Sequence, residues 1–349
     1  MIHMRLVVPD DLKQQVLDLF CASPAVSSVI CLENAAHKPH GHVILADVAR
    51  EDASVILGDL RELDLDHRGT IALEYVDTAI SDAADAAEKA AKGTPSDAVV
   101  WEQVENRTSE ETELSFAFLA FMVIAMLIAG VGVLTDSPIL IIGAMVVGPE
   151  FGPLAAICVA IVQQRRDLAK RSITALLVGF PLGIAITYGA AELGRALSIG
   201  PSELIDASQP LTNFISHPDA FSVVVASLAG IAGMISLTSA KSGALVGVLI
   251  SVTTIPAAGN IGVAAAYSDW NEVEGAAIQL GVNLVCITIA GVTTLYIQRR
   301  YYLNRRRRHL RDPIRKQAGL PMGRSRRGSV VLSPKDLEEL QKTETAPES

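Results

Sequence analysis

The chain has 349 residues, half of them hydrophobic, and its formal net charge of −9 is unevenly distributed. Residues 1–115 hold 9 Lys and Arg against 22 Asp and Glu, residues 116–298 hold 6 against 10, and residues 299–349 hold 14 against 6. A soluble core of this length would carry charges every few positions, whereas long charge-poor blocks are what a lipid bilayer requires. The composition therefore excludes a wholly soluble protein, and the acidic N-terminal region argues against a nucleic-acid partner.

Several other classes of protein are disfavoured by patterns that the sequence lacks. The opening residues, MIHMRLVVPDD, contain no apolar core of a signal peptide, so we expect no cleaved signal. The four cysteines show no CxxC spacing, which predicts neither a disulfide scaffold nor a metal site. No P-loop, Rossmann glycine pattern, HExxH or GxSxG motif occurs, so we expect no cofactor and no enzymatic activity.

Residues 1–80 predict a small cytosolic α+β domain whose strands and helices follow the order βαββαβ. This order is typical of the ferredoxin-like, or split βαβ, fold. Such folds resemble small-molecule-sensing ACT domains, but the first strand–helix turn, Pro9-Asp10-Asp11, lacks the glycine with which those domains commonly bind ligand. Two roles therefore stay open for this domain, namely ligand sensing and a packing or oligomerisation function.

Two local details of this domain follow from its residue types. Asp10 or Asp11 should provide the N-cap of the first helix, because a short acidic side chain accepts hydrogen bonds from the first turn. His37, His40 and His42 cluster in the turn predicted between the two central strands. We expect a solvated turn there, since surface histidines are far more often solvated than metal-bound.

Six apolar segments of about 18–25 residues follow, each long enough to cross the hydrocarbon core of a bilayer. They lie near Phe116–Leu134, Ile139–Val162, Ile173–Leu193, Ala220–Leu237, Gly243–Ala266 and Ala276–Ile297. We expect residues 116–298 to form the membrane domain, residues 81–115 a helical connector and juxtamembrane segment, and residues 299–349 a basic, largely disordered cytosolic tail.

Basic residues concentrate in alternate connectors of the predicted spans. QQRRDLAKR, between the second and third spans, has four, SAKS has one, and the C-terminal flank RRYYLNRRRR has six, whereas the other connectors are mainly acidic. Because Lys and Arg mark the cytoplasmic side, the pattern predicts a multi-pass protein of the cell membrane with both termini in the cytoplasm.

The predicted membrane domain contains an internal repeat. GVGVLTDS at residues 130–137 aligns with GMISLTSA at residues 233–240, and the same offset of 103 carries Pro153 onto Pro256. The two copies cover about residues 116–195 and 219–298, with three spans each. An odd number of spans per copy makes the second copy enter the membrane in the opposite sense, which is the inverted-repeat plan of secondary transporters. The expected fold is thus a six-helix, 3+3 membrane protein with an N-terminal α+β domain.

Three segments carry a resemblance to a known family. SPILIIGAMVVGPEFGPL, SQP…D…VVASLAGIAG and GVLISVTTIPAAGNIG resemble the membrane family catalogued as domain of unknown function 389, over roughly residues 116–298. The resemblance implies a multi-spanning integral membrane protein and no particular reaction. Two departures stand out, because relatives often have an apolar or small residue in place of Glu150 and a second proline in place of Ala257, beside Pro256. Glu150 is thus expected to tune the specificity of a subgroup.

Helix-breaking residues in two corresponding spans predict the functional site, because discontinuous helices in such folds expose backbone groups near the bilayer midplane. The candidates for a substrate or ion site are Gly148, Pro149, Glu150, Gly152, Pro153, Thr253, Thr254, Pro256 and Asn260, with Gln279, Asn283 and Asp136 as secondary candidates. Glu150 is interpreted either as a cation or proton site or gate, or as a carboxyl that fixes helix packing. Gln279 and Asn283 are four residues apart and should share a helix face that points into the bundle.

The leading hypothesis is a secondary transporter or channel-like permease for an ion or small solute. The alternative is a membrane-anchored sensor or scaffold without transport activity, which acts through residues 1–80. The expected partners are the lipid bilayer, the unidentified ion or solute, and a second copy of the chain in a homo-oligomer.

Overall fold

A computed structural model describes residues 1–76, 78–91, 99–110, 112–198, 215–239 and 254–310. The chain divides into two compact units. The first consists of the described residues of Met1–Val104, Thr238–Ala240 and Gln298–Ser349, and the second of those of Glu105–Leu237 and Lys241–Ile297.

The first unit contains a four-stranded antiparallel sheet with two principal helices. In chain order its elements are β1 (Ile2–Val8), α1 (Lys13–Ala22), β2 (Val26–His37), β3 (His40–Val48), α2 (Arg50–Glu62), the single turn α3 (Leu65–Arg68) and β4 (Thr70–Tyr75). The strand order is β2-β3-β1-β4, and each neighbouring pair is antiparallel. The predicted order βαββαβ is therefore found, with β1 in the centre as a split βαβ arrangement requires.

The alternation of apolar residues in β1 explains which face of the sheet is covered. Ile2, Met4, Leu6 and Val8 are fully buried and pack in one cluster with apolar residues of both helices. Because successive side chains of a strand point to opposite faces, this period of two places the core on one side of the sheet. The apolar face of α1 is buried as well, as Phe20 shows at 1 % exposure.

The predicted N-cap of the first helix is wrong. A short 3-10 turn at Asp10–Leu12 precedes α1, and no side chain caps either element. Asp11 instead accepts two hydrogen bonds from Arg68, at 2.7 and 2.8 Å, while Asp10 Oδ1 lies 2.8 Å from His42 Nε2. The two carboxylates contact side chains that are distant in sequence. They therefore do not accept hydrogen bonds from the free backbone N–H groups of the first helical turn.

The turn predicted between the second and third strands is also shorter than expected. β2 runs to His37 and β3 begins at His40, with irregular pairing between Leu32 and Ala36. His42 is buried at 6 % exposure, and its Nδ1 accepts a hydrogen bond from the backbone N–H of Asn34. The irregular strand pairing places the polar residues within the hairpin. His42 is therefore a structural side chain and not part of a solvated turn.

Helices dominate the rest of the described chain. They are α4 (Asp82–Ala90), α5 (Trp101–Glu110), α6 (Phe116–Leu134), α7 (Pro138–Val147), α8 (Phe151–Gln163), α9 (Arg166–Ala196), α10 (Ala220–Thr238), α11 (Thr254–Ala266) and α12 (Trp270–Leu310). Ser81 caps α4 by accepting from the N–H of Ala84, and Ser115 caps α6 by accepting from that of Phe118. Serine at these positions satisfies backbone donors that the helix itself leaves free.

Four helices are long and apolar enough to cross a membrane, namely α6, α9, α10 and α12, and the bent pair α7–α8 makes a fifth candidate span. The described residues thus contain four or five of the six predicted spans. The described part of the remaining one is α11, which has 13 residues, and the first half of the predicted Gly243–Ala266 span lies outside the described residues.

The last helix continues beyond the last predicted span, Ala276–Ile297. α12 does not end near Ile297 but continues to Leu310. Arginine is a good helix former and the next proline is Pro313, so nothing in the sequence stops the helix earlier. The rest of the predicted tail, residues 311–349, lies outside the described residues.

Small residues allow α11 to pack closely between α6 and α9 in the second unit. A Cβ on Gly259 would lie 2.8 Å from Ala129 Cβ, and one on Gly262 would lie 2.9 Å from Ile184 O. Both distances are shorter than carbon–carbon or carbon–oxygen contact permits. The glycines therefore bring the α11 backbone against its neighbours, as small residues do between membrane helices.

Candidate functional site

The helix that was predicted to cross the membrane at Ile139–Val162 is broken in its middle. α7 ends at Val147, α8 begins at Phe151, and their axes differ by 51°. Pro149 explains the break, because it has no N–H to donate and disfavours helical geometry in the residue before it. Gly148 accordingly adopts an extended conformation, with φ −65° and ψ 129°, and the chain turns there.

Glu150 occupies the last position of this break, directly before α8. Its side chain is 1 % exposed, and its Oε1 accepts a hydrogen bond of 2.7 Å from Thr254 Oγ1. Oε2 is buried and has no hydrogen-bond partner among the residues that the structure describes, and no Lys, Arg or His in that part of the chain forms an ion pair with the carboxylate. A buried carboxylate that has a hydrogen bond to only one of its oxygens is energetically costly unless a proton or a cation neutralises it.

Gly148 is needed because Glu150 folds back onto it. A Cβ at this position would lie 2.4 Å from Glu150 Oε2 and 2.5 Å from Ile255 Cγ1. The backbone conformation of Gly148 is open to any residue, so the glycine serves close approach and not conformational freedom. The break, the carboxylate and the first turn of α11 therefore form one tightly packed site.

The site joins the two interrupted stretches that the sequence singled out. Thr254 opens the described part of α11, in the predicted second repeat, while Glu150 belongs to the first. The carboxyl and hydroxyl oxygens are hard ligands of the kind that alkali and alkaline-earth cations prefer. Thr253, which was also predicted for this site, lies outside the described residues.

The predicted proline breaks have different outcomes. Pro153 is the third residue of α8, and Pro256 is the third residue of the described part of α11. The N–H of a first-turn residue has no partner within its own helix, so the proline at position 153 removes no helical hydrogen bond. Pro149 therefore interrupts a helix, whereas Pro153, like the neighbouring Gly152, lies within one, and the residues that lead to Pro256 are outside the described part of the chain.

The other predicted site residues lie in different places. Asn260 donates from Nδ2 to Glu272 Oε2 at 3.2 Å instead of approaching Glu150. Gln279 Nε2 donates to Asn283 Oδ1 at 3.3 Å, and both side chains are 2 % exposed, so the prediction that they share a buried face is confirmed.

Asp136 follows the end of α6 and has a φ of +47°, in the left-handed region. It lies in the turn that leads into α7, which agrees with a helix-terminating role.

Two contacts involve residues that the sequence did not single out. Arg195, in the last turn of α9, donates to the backbone carbonyl of Ala266 at the end of α11, and its guanidinium lies 5.6 Å from the centre of the Tyr267 ring. Glu272, in one of the acidic connectors, accepts a hydrogen bond from Asn260. A signal existed for Glu272, because it is seven residues before Gln279 and hence on the same helix face.

Comparison with known proteins agrees with the resemblance seen in the sequence. Residues 145–289 match the sequence profile of the family described as Domain of unknown function (DUF389). An uncharacterized protein of Methanocaldococcus jannaschii is 25% identical over 194 residues, which are 56% of this chain and 58% of that relative. The chain thus spans little more than half the length of this relative, and no solved structure matches it. The stretch that is similar to this family therefore runs from the end of α7 to the middle of α12 and includes Glu150 and Thr254.

Proposed function

We propose that this protein is a transporter or channel-like permease of the cell membrane, and that Glu150 and Thr254 form its cation or proton site. The observation that carries the proposal is the buried carboxylate of Glu150, which lies at a helix break and has one oxygen without a partner among the described residues. Ionisable groups within membrane helices are rare because they are expensive to bury, and they commonly mark ion or proton pathways.

The geometry of α8 and α11 supports the inverted repeat on which this proposal depends. Each helix has a proline at its third described position, and each is followed within two residues by a left-handed residue, Gln164 with φ +59° and Ser268 with φ +61°. The closing backbone bonds also correspond, from Arg165 N to Ala160 O at 2.9 Å and from Asp269 N to Ala264 O at 3.0 Å. Repeated local geometry at an offset of 103–104 residues favours two copies of one three-span unit.

The proposed topology has six spans with both termini in the cytoplasm. The α7–α8 pair is one broken span, and α11 is the second half of its counterpart. Support comes from the acidic connector that contains Asp269, Glu272 and Glu274, and from the basic residues that follow α8 and the last span. Glu150 and Thr254 then lie where the broken spans of the two repeats meet, as substrate sites do in transporters of this plan.

Ion flux in proteoliposomes tests the proposal directly. Wild type should move protons, Na⁺ or K⁺ down an imposed gradient, and Glu150→Gln should reduce that flux at least tenfold because the neutral amide cannot exchange a cation. Glu113→Gln is the matched control, since it neutralises an exposed carboxylate outside the acidic connector and should leave the flux unchanged. Equal flux in wild type and Glu150→Gln would contradict the assigned site, and the absence of any flux in wild type would favour the sensor or scaffold alternative.

A further inference from the structure

Three polar residues of α12 lie on one narrow stripe of the helix. Glu272, Gln279 and Asn283 are separated by seven and four residues. At about 100° per residue, these spacings place all three within about 40° of one another around the helix axis. The rise per residue makes the stripe about 16 Å long, which is roughly half the thickness of the hydrocarbon core.

The contacts of the stripe show that it faces protein. Glu272 accepts from Asn260 of α11 at 3.2 Å, and Gln279 donates to Asn283 at 3.3 Å. Gln279 and Asn283 are each 2 % exposed. By contrast, Ile278 and Val285 lie on other faces of the same part of α12 and are 49 % and 56 % exposed, as expected for side chains that face lipid.

The segment of α12 that carries the inner part of the stripe packs against the helix that bears Thr254. Leu280 and Leu284, which follow Gln279 and Asn283 in sequence, pack against the apolar cluster that contains Ile255 and Ala258 of α11. Ile255 follows Thr254, the hydrogen-bond partner of Glu150. Measured from the Asn260–Glu272 contact, Thr254 is six residues back along α11 and Gln279 is seven residues forward along α12. These separations correspond to about 9 and 10 Å of helix.

We propose that Asn260, Glu272, Gln279 and Asn283 line a hydrated access path, by which a cation or proton travels from the acidic surface connector towards Glu150. This inference rests on the proposed function and deepens it by naming the route and the charge of the permeating species. The Glu272 carboxylate at the outer end concentrates cations, and the amide groups further in replace part of their hydration shell. The competing role for these residues is dry interhelical bonding, which is common for Asn and Gln in membrane helices.

Reactivity of introduced cysteines with Ag⁺ distinguishes a path from a dry contact. In a background with Cys21, Cys31, Cys158 and Cys286 replaced, single variants Gln279→Cys and Asn283→Cys are compared with Ile278→Cys and Val285→Cys. Ag⁺ is a small cation that enters water-filled routes but not lipid. The path predicts that both stripe cysteines react at least tenfold faster than both lipid-facing controls, as measured by mass spectrometry after quenching.

Equal rates at all four positions would overturn the path. If the inner variants fail to fold, the rate of reaction with Ag⁺ is measured at the outer end in Glu272→Cys. This cysteine should react rapidly, whereas that of Ile278→Cys should not. If the path carries alkali cations, excess K⁺ or Na⁺ should slow the reaction of Ag⁺ with the cysteine at position 283. If this reaction stays fast in excess K⁺ or Na⁺, the path is filled with water and carries protons. The rates of reaction with Ag⁺ can be measured whether or not the protein transports an ion. Ion flux in wild type together with unreactive stripe cysteines would refute the path alone. Reactive stripe cysteines without ion flux in wild type would refute transport alone.

Discussion

The hydroxyl group of Thr254 donates a 2.7 Å hydrogen bond to the carboxylate of Glu150, across 104 residues of sequence. This bond connects the end of a helix break in one part of the membrane domain with the described start of a helix in the other. The contact therefore joins the helix break before α8 and the start of the described part of α11 in one site. Its surroundings therefore offer the sharpest tests of the structure.

Replacing Thr254 by valine should destabilise the protein, because the change keeps the shape and removes the hydroxyl group that donates to Glu150. Leaving a buried acceptor unpaired costs about 1–3 kcal/mol. Thermal unfolding in detergent measures the loss. Thr293→Val is the matched control, since the exposed Thr293 hydroxyl bonds only to the carbonyl of Ile289 in its own helix.

The same substitution in a Glu150→Leu background provides the second arm of a double-mutant cycle. With the carboxylate gone, Thr254→Val should cost markedly less than it does in wild type, because the two residues are in direct contact. Identical costs in both backgrounds would mean that the hydrogen bond does not contribute to stability.

Replacing Gly148 by alanine should also destabilise the protein. The new methyl group would lie within 2.5 Å of both Glu150 Oε2 and Ile255 Cγ1, and overpacking of this kind costs about 1–3 kcal/mol. Gly143→Ala is the control, because a Cβ there has no neighbour within 4 Å and alanine is the better helix former. A melting temperature that falls equally for both variants would show that the close approach of Glu150 to Gly148 is incorrect.

The two prolines at the α7–α8 break should behave differently from one another. Pro153→Ala should change stability by about 1 kcal/mol or less, because this position lies in the first turn of α8. Pro149→Ala should let α7 continue as a helix and displace Glu150, with a loss of flux. Flux and thermal unfolding of the two variants check this order, and a larger loss of flux in Pro153→Ala than in Pro149→Ala would contradict it.

A pH-dependent test concerns the first unit. Hydrogen bonding to the Arg68 guanidinium holds the pKa of the Asp11 carboxyl below its ordinary value of 3.8. A carboxyl whose pKa is lower in the folded state stabilises the fold above the unfolded pKa, and this contribution is lost as the pH falls through the folded pKa.

The effect should be small because both side chains are exposed. Wild type should melt slightly above Asp11→Asn at neutral pH, and the difference should vanish in acid well below pH 3.8. Arg68→Gln should show the same behaviour, and adding Asp11→Asn to it should have no further effect. A difference that persists in acid would show that the ion pair is not its cause.

Much of the fold follows from local patterns in the sequence. The period of two in β1 and the buried face around Val16 and Phe20 are properties of neighbouring residues, so the βαββαβ order could be recognised. The limits of α6 were also predictable, because lipid requires an uninterrupted apolar run and Ser115 caps its start. Predictions were wrong where the interacting residues are distant in sequence. Asp11, for example, binds Arg68 and does not cap the first helix.

By itself, the sequence determined that the middle of this protein contains apolar segments long enough to cross a bilayer, that glycine and proline interrupt one of them, and that a carboxylate lies at this interruption. Hydrophobic length and the missing N–H of Pro149 are local properties, which is why they can be recognised without the tertiary structure. Only the tertiary structure decided that Glu150 meets Thr254, that Asn260 bonds to Glu272 instead, and that Pro153 opens a helix without breaking it. Those outcomes depend on how closely helices far apart in the chain can pack, and glycines such as Gly259 and Gly262 allow an approach that no local pattern specifies.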